Sequence, residues 1–184
     1  LCTGGLSYPS TGSDGAGYAI AKSFGHSMIP TTPALTPLLS DDPDWKSLSG
    51  ISMPVEMSLW LEKKKIISYE GSLLFTHFGF SGPVVLDISR HWTRSLSKLQ
   101  TKILVNFLPM FKEDVFIKEF KKMTESKPHR TLKHYLSELC PERFALMLLE
   151  KVKIHESVVL NQVRRQDREA LINLIFQNPL SIKG

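Results

Sequence analysis

The stretch Gly71–Arg90, GSLLFTHFGFSGPVVLDISR, restricts the fold of this chain more than any other. Leu73, Leu74 and Phe75 make a short apolar run of the kind that suits a buried strand. Thr76 to Gly82, with glycines at 79 and 82 and hydroxyls at 76 and 81, then predicts a tight turn. Ser81 or Gly82 is placed to cap a helix, and Pro83 suits the first helical position because it has no N–H to leave unpaired. Val84, Val85, Ile88 and Trp92 supply its apolar face. A strand, a glycine-rich turn and a helix N-terminus aim free backbone N–H groups at one spot, where an anion or an electron-rich ring atom can sit. The same pattern also describes an ordinary strand-to-helix corner.

Around this corner the chain divides by periodicity. In residues 1–39, Ser13 and Asp14 read as N-cap and acidic first turn of a helix carrying Ala16, Ala19, Ile20 and Phe24, with Gly25 at its C′ position. The prolines of PTTPALTPLL then favour extended or edge-strand backbone. Residues 45–75 read as β. Val55, Met57, Leu59 and Leu61 alternate with Glu56, Ser58, Trp60 and Glu62, Lys63 to Lys65 form a charged turn, and Ile66 to Tyr69 begin a return strand. Thr101 to Leu108 is a further strand with Ile103, Val105 and Phe107 on one face. Several short strands around one helix suggest a small barrel or a tightly curled sheet. Residues 110–178 read as helical, with apolar stripes at Val115, Phe116 and Phe120, at Leu132–Leu139, at Phe144, Leu148, Leu149 and Val152, and at Ala170, Leu171, Leu174 and Ile175. The fold class expected is therefore α+β: a small antiparallel β-barrel or curled sheet with an appended all-helical subdomain.

Composition excludes several function classes. With 184 residues the chain buries roughly 70% of its unfolded surface without needing disulfides, and Cys2 and Cys140, far apart, fit a reducing cytoplasm. No apolar run is long enough for a membrane span, and we expect no signal peptide, since LCTGG lacks a basic region followed by an apolar core. Because the chain begins with Leu1 inside an apparent strand end and stops at NPLSIKG, we expect an excised piece of a longer protein. The six histidines form no HxxxH pair and the cysteines no CxxC motif, so no metal site is expected. The glycines at 4, 5, 12, 15 and 17 do not make GxGxxG, and a P-loop is absent. A net charge of +5, concentrated in Lys63–Lys65 and in residues 112–133, raises nucleic acid as a partner; solvated helix faces and a lysine-rich hairpin tip account for it more simply. His77 is the one histidine in a candidate site loop, able to donate to a carbonyl, to shuttle a proton, or merely to bond the turn backbone.

Two ordered motifs carry a resemblance to a known family. One is Thr3-Gly4-Gly5 with Ser7-Tyr8-Pro9, Thr11-Gly12-Ser13, Gly15, Gly17-Tyr18, Gly25-His26 and Pro33-Ala34-Leu35. The other is Leu74-Phe75-Thr76-His77-Phe78-Gly79-Phe80-Ser81-Gly82-Pro83 with Ser89-Arg90. The chain resembles the HI0933-like, or YhiN-like, bacterial flavoproteins, the NAD(FAD)-utilising dehydrogenases. It departs from their pattern at Cys2, where alanine is usual, and at Ala16, where aspartate is common.

The resemblance implies a parent FAD-dependent oxidoreductase whose FAD-binding domain is interrupted by a barrel-and-helix insert, with NAD(P)H or another electron donor. This chain would be that insert with flanking sequence: 1–39 a remnant of the split FAD domain, 40–110 the barrel with one internal helix, 111–178 the helical subdomain, and 179–184 the start of the return strand. By resemblance, Thr3, Gly4 and Gly5 pass close to FAD. The loop of Thr76, His77, Gly79, Ser81 and Gly82 would face the flavin and substrate, with His77 the catalytic candidate. The partners expected are the remaining FAD-binding domain and a small-molecule substrate, with no membrane and nucleic acid disfavoured. The fragment alone should be inactive. The alternative is a basic β-barrel and helical module that binds RNA or an acidic protein surface.

Overall fold

The computed structural model describes residues 1–95 and 100–183, and these fall into two compact units, 1–33 and 34–184. The first unit contains a 3-10 turn at Pro9–Thr11 and helix α1, Ala16–Ser23. The helix begins two residues later than its sequence predicts. Gly15 takes the N-cap position with φ +83°, and the Asp14 carboxylate accepts from Ala16 N at 3.0 Å. Gly25, at φ +85°, follows the helix as expected, its N–H reaching Lys22 O at 3.0 Å.

The second unit is built on one antiparallel sheet. Its elements, in chain order, begin with β1 (Leu38–Leu39), α2 (Pro43–Ser47), β2 (Ser52–Leu61), β3 (Lys64–Thr76) and β4 (Gly79–Ser81). Helix α3 (Pro83–Thr93) and strand β5 (Thr101–Asn106) follow. The helical part is α4 (Glu113–Ser126), α5 (Leu132–Ser137), α6 (Glu142–Lys151) and α7 (Arg165–Phe176), and β6 (Asn178–Pro179) returns to the sheet. The strand order is β1-β4-β3-β2-β5-β6. After β6, Leu180 N donates to Ile103 O of β5 at 3.0 Å and Lys183 N to Leu39 O of β1 at 2.8 Å. One short segment thus touches both ends of the strand order, and the sheet is curled into a half-barrel. The α+β expectation holds.

Alternation decides which face of the sheet is buried. Met53, Val55, Met57 and Leu59 of β2 lie in the core, opposite Leu73 and Phe75 of β3 and beside Ile103 and Val105 of β5. The turn between β2 and β3 is Glu62–Lys63, not Lys63–Lys65. Glu62 adopts φ 52°, and Lys64 already pairs with Leu61. The lost register appears one pair later, where an irregularity beside Leu59 and Trp60 leaves Ile66 exposed. Helix α3 packs across β3 and β2 through Val84, Val85 and Ile88.

The barrel and the helices share one core. Trp45 of α2 lies 5.9 Å from the ring of Phe75, 5.5 Å from Phe107 and 6.5 Å from Phe144 of α6. Lys151 of α6 closes this corner, its ammonium 4.9 Å from the Trp45 ring and paired with Asp42 at 3.3 Å and Asp44 at 2.7 Å. A second aromatic group, Phe116, Phe120, Tyr135 and Phe176, joins α4, α5 and α7. Among the described residues no helix is long and apolar enough to cross a membrane.

Candidate functional site

In the first unit, Thr3 and Gly4 are exposed and Gly5 is partly so. Gly4 has φ +70°, which leaves this position to glycine. The segment runs against the start of α1: a side chain at Gly5 would come within 2.9 Å of the Tyr18 hydroxyl, and Thr3 packs on the Gly17 backbone. Among the described residues the N–H groups of Thr3, Gly4 and Gly5 donate to nothing. Consecutive free amides on an exposed glycine segment are the donor set that an anionic or electron-rich cofactor atom takes up, so these residues fit such a group.

In the second unit, Thr76 to Gly82 is not a single tight turn. Thr76 ends β3, His77 and Phe78 make a two-residue hairpin turn, and Gly79–Ser81 is a strand held between β3 and β1. Thr76 Oγ1 donates to Gly79 O at 3.0 Å, and Ser40 N donates to Phe78 O at 3.0 Å. Gly82, at φ +97°, is the N-cap of α3, and a side chain there would meet Ser72 O at 2.5 Å. Its carbonyl accepts from Val85 N and Leu86 N, both at 3.0 Å. The second expected loop therefore spends its glycines on close backbone packing. What it offers to solvent is His77, exposed at the turn with its ring edge-on to Phe78 at 5.0 Å.

A third constellation joins β3 to the last turn of α3. Tyr69 Oη lies 3.0 Å from His91 Nε2. Arg90 donates from Nε to the same nitrogen at 3.2 Å and from Nη2 to the Tyr69 oxygen at 3.1 Å. Burial, then the charges of Arg90 and Arg94, hold the His91 pKa below 6.5. With Arg90 donating to Nε2, the neutral imidazole carries its proton on Nδ1, and the Tyr69 hydroxyl donates to Nε2. Sequence reading singled out neither Tyr69 nor His91. They are 22 positions apart, and only the packing of α3 over β3 brings them together.

On the outer face of the sheet lies a cleft of about 560 Å³ lined by Glu56, Ser58, Trp60, Lys65, Asn106 and Phe111, among others. Its polar groups bond mainly to one another. Glu56 accepts from Ser68 Oγ at 2.5 Å and Lys65 Nζ at 2.9 Å, and Trp60 Nε1 donates to Ser58 at 2.9 Å. The Ser68 and Lys65 bonds hold the Glu56 carboxyl below its usual 4.5. Among the described residues no three His, Cys, Asp or Glu side chains are grouped to hold a metal ion.

Comparison with known proteins gives a consistent picture. Residues 32–184 match the family described as HI0933-like protein barrel and H2TH domain. The chain is 29% identical over 184 residues to a 3-dehydro-bile acid delta(4,6)-reductase of Clostridium scindens, spanning all of this chain and 45% of that protein. It is 34% identical over 163 residues to a ribosomal RNA dihydrouridine synthase of Haemophilus influenzae, 88% of this chain and 38% of that protein. Against the protein of the same description from Escherichia coli it is 32% identical over 178 residues, 95% of this chain and 41% of that protein. The chain therefore spans less than half the length of the curated relatives it matches.

Proposed function

Because the chain belongs to the family of HI0933-like barrel and H2TH domains, we propose that it is the substrate-side insert of an FAD-dependent oxidoreductase that saturates a carbon–carbon double bond conjugated to a carbonyl. The observation that carries this reading is a reaction shared by the names of its relatives. A dihydrouridine synthase hydrogenates the C5=C6 bond of a uracil, and a delta(4,6)-reductase acts on alkenes of a 3-oxo steroid. Both alkenes are polarised by a carbonyl. When bound and reduced by NAD(P)H or another donor, the flavin would supply the hydride for such a reduction, and the second hydrogen would come as a proton from solvent.

The chain's own residues have two tasks, and the rest of the parent has one. Thr3, Gly4 and Gly5 would hold the cofactor through their free amides, in a segment where Gly4 lets the backbone approach closely. His77, exposed at its turn next to Thr76 with its ring against Phe78, would donate an N–H to the substrate carbonyl and so draw electrons away from the alkene. The remaining FAD-binding domain would cover unit 1. Leu1, Leu6, Tyr8, Phe24, Met28 and Ile29 are all exposed, and in 1–33 Gly17 alone is buried. Large apolar side chains at that density ask for a partner surface.

The test is a titration of FAD against the full-length parent and against the 184-residue chain, followed by flavin absorbance and fluorescence. The parent is expected to bind FAD, the chain alone to bind far more weakly and turn over nothing, and Gly4→Val in the parent to weaken binding. A parent that leaves FAD free would overturn the reading.

A further inference from the structure

We propose that the free edge of β3 at Ser68 and Glu70 pairs, antiparallel, with the same edge of a second copy of this chain, giving a two-fold dimer joined through its barrels. The inference rests on the sheet alone and is independent of the reductase reading.

Strand β3 has 13 residues and is used unequally on its two sides. On one side it pairs with β2 from Lys64 to Leu74; on the other, β4 takes only Leu74 to Thr76. Phe75 fixes which residues face which way. Its N–H donates to Ile51 O and its carbonyl accepts from Gly50 N, both at 3.0 Å and both on the β2 side. Antiparallel pairing turns successive residues to opposite sides. Leu73, Gly71 and Tyr69 therefore face β2, while Leu74, Ser72, Glu70 and Ser68 face away from it. Leu74 is taken by β4, and Gly82 lies so close over Ser72 that a side chain there would stand 2.5 Å from Ser72 O. Among the described residues, the backbone N–H and C=O groups of Ser68 and Glu70 have no hydrogen-bond partner. Glu70 is exposed, and so is Ile66 on the same strand.

An open edge invites another strand, and its surroundings decide which. The irregularity beside Ile66 and the lysines at 63, 64 and 65 turn away an arbitrary strand. Those three lysines stand with two carboxylates, Glu56 bonded to Lys65 and Glu62 in the turn, which leaves one positive charge unmatched. A strand that docks here must bring an acid, and this edge carries one itself in Glu70.

The register follows. With Tyr69 on the two-fold axis, Ser68 lies opposite Glu70 of the partner subunit, and the symmetry repeats the pair. Each pair exchanges two hydrogen bonds, so the free groups of both copies are all satisfied. Lys65 stands opposite Trp60 as Ser68 stands opposite Ser58, which makes it the next residue on the outer face. It is then diagonal to Glu70 of the partner subunit, about 7–8 Å away and within reach of a lysine side chain. So short a pairing buries less than the roughly 1,200 Å² of a standard interface, and the dimer is correspondingly weak.

The test is sedimentation velocity of the full-length flavin-loaded protein from about 1 to 200 µM, the range in which an interface below standard size assembles. A shift from monomer to dimer is expected as concentration rises, with the Ser68 and Glu70 amides protected from hydrogen exchange only in the dimer. Glu70→Lys should weaken the dimer by about tenfold, since both symmetric contacts become repulsive. Ser68→Cys and Glu70→Cys chains, each in a Cys2→Ser background, should form a mixed disulfide when oxidised together, which reports the register without relying on the charge reversal. A protein that stays monomeric throughout overturns the proposal. So do a dimer in which these amides exchange as in the monomer, and a Glu70→Lys dimer as tight as wild type. Protection of both amides in the monomer would mean that the parent's own chain covers the edge, and also overturns it.

Discussion

Phe144 is the side chain through which the helical segment enters the core of the barrel, and its truncation tests whether the two fold as one. It sits on α6, fully buried, with its ring 4.8 Å from Phe107, 6.0 Å from Phe75 and 6.5 Å from Trp45. Phe144→Ala removes a ring that contacts β3, α2 and the end of β5 at once. A buried Phe→Ala change costs about 3–5 kcal/mol, transfer and cavity terms together. For a cooperative unit of residues 34–184, about 4 kcal/mol lowers the melting temperature by about 12 °C. Urea unfolding in a Trp60→Phe, Trp92→Phe background, where Trp45 is the remaining tryptophan, followed by its fluorescence and by far-UV circular dichroism, should give one transition for both probes. The midpoint should shift and the slope should not. Ile117→Ala, on an exposed stretch of α4, should stay within about 0.5 kcal/mol of wild type. Two separate transitions, with the Trp45 probe unmoved by Phe144→Ala, would refute a shared core.

Other consequences are open to direct measurement. Burial pushes the Cys140 thiol up to about 12, so a thiol reagent at pH 8 should titrate the exposed Cys2 alone until the protein is unfolded; rapid reaction of both thiols in the folded chain would contradict this. Glu56 has its folded pKa lowered by Ser68 and Lys65, so its stabilisation is complete above its unfolded value and is lost as pH falls through the folded one. Glu56→Gln should therefore cost about 1 kcal/mol at pH 7, discounted for partial exposure, and nothing near pH 2; an equal penalty at both pH values would refute the assignment. The His91 imidazole should titrate below 6.5 by NMR, and Arg90→Gln should move it upward by removing a positive neighbour. A downward move would rule out Arg90 as a cause.

Local chemistry was readable wherever one residue type dictates the backbone. Gly82 and Pro83 begin α3 as their sequence demands, Gly25 ends α1, and the alternation from Val55 to Leu59 lines the core. The errors came where tertiary pairing overrides local preference. Gly79–Ser81 looks like turn and is strand, because β1 and β3 both pair with it. Lys64 and Lys65 look like turn and are strand, because a two-residue turn with Glu62 at positive φ suffices. Tyr69 and His91 had no signal at all. Their meeting depends on the angle at which α3 crosses β3, which no periodicity encodes. The charge of the Lys63–Lys65 run was visible, but not that Lys65 alone of the three has a carboxylate partner among the described residues.

The most direct experiment is an anaerobic stopped-flow reoxidation of the FAD-reduced full-length protein, mixed in turn with a uracil-containing RNA, a 3-oxo-4,6-diene steroid and a saturated control of each. Reoxidation by at least one conjugated alkene and by neither saturated control, slowed in His77→Ala with FAD still bound, is the result expected of a flavin-dependent reductase with this domain at its substrate side. A reduced flavin that persists with every alkene, in a protein shown to bind FAD, would contradict it.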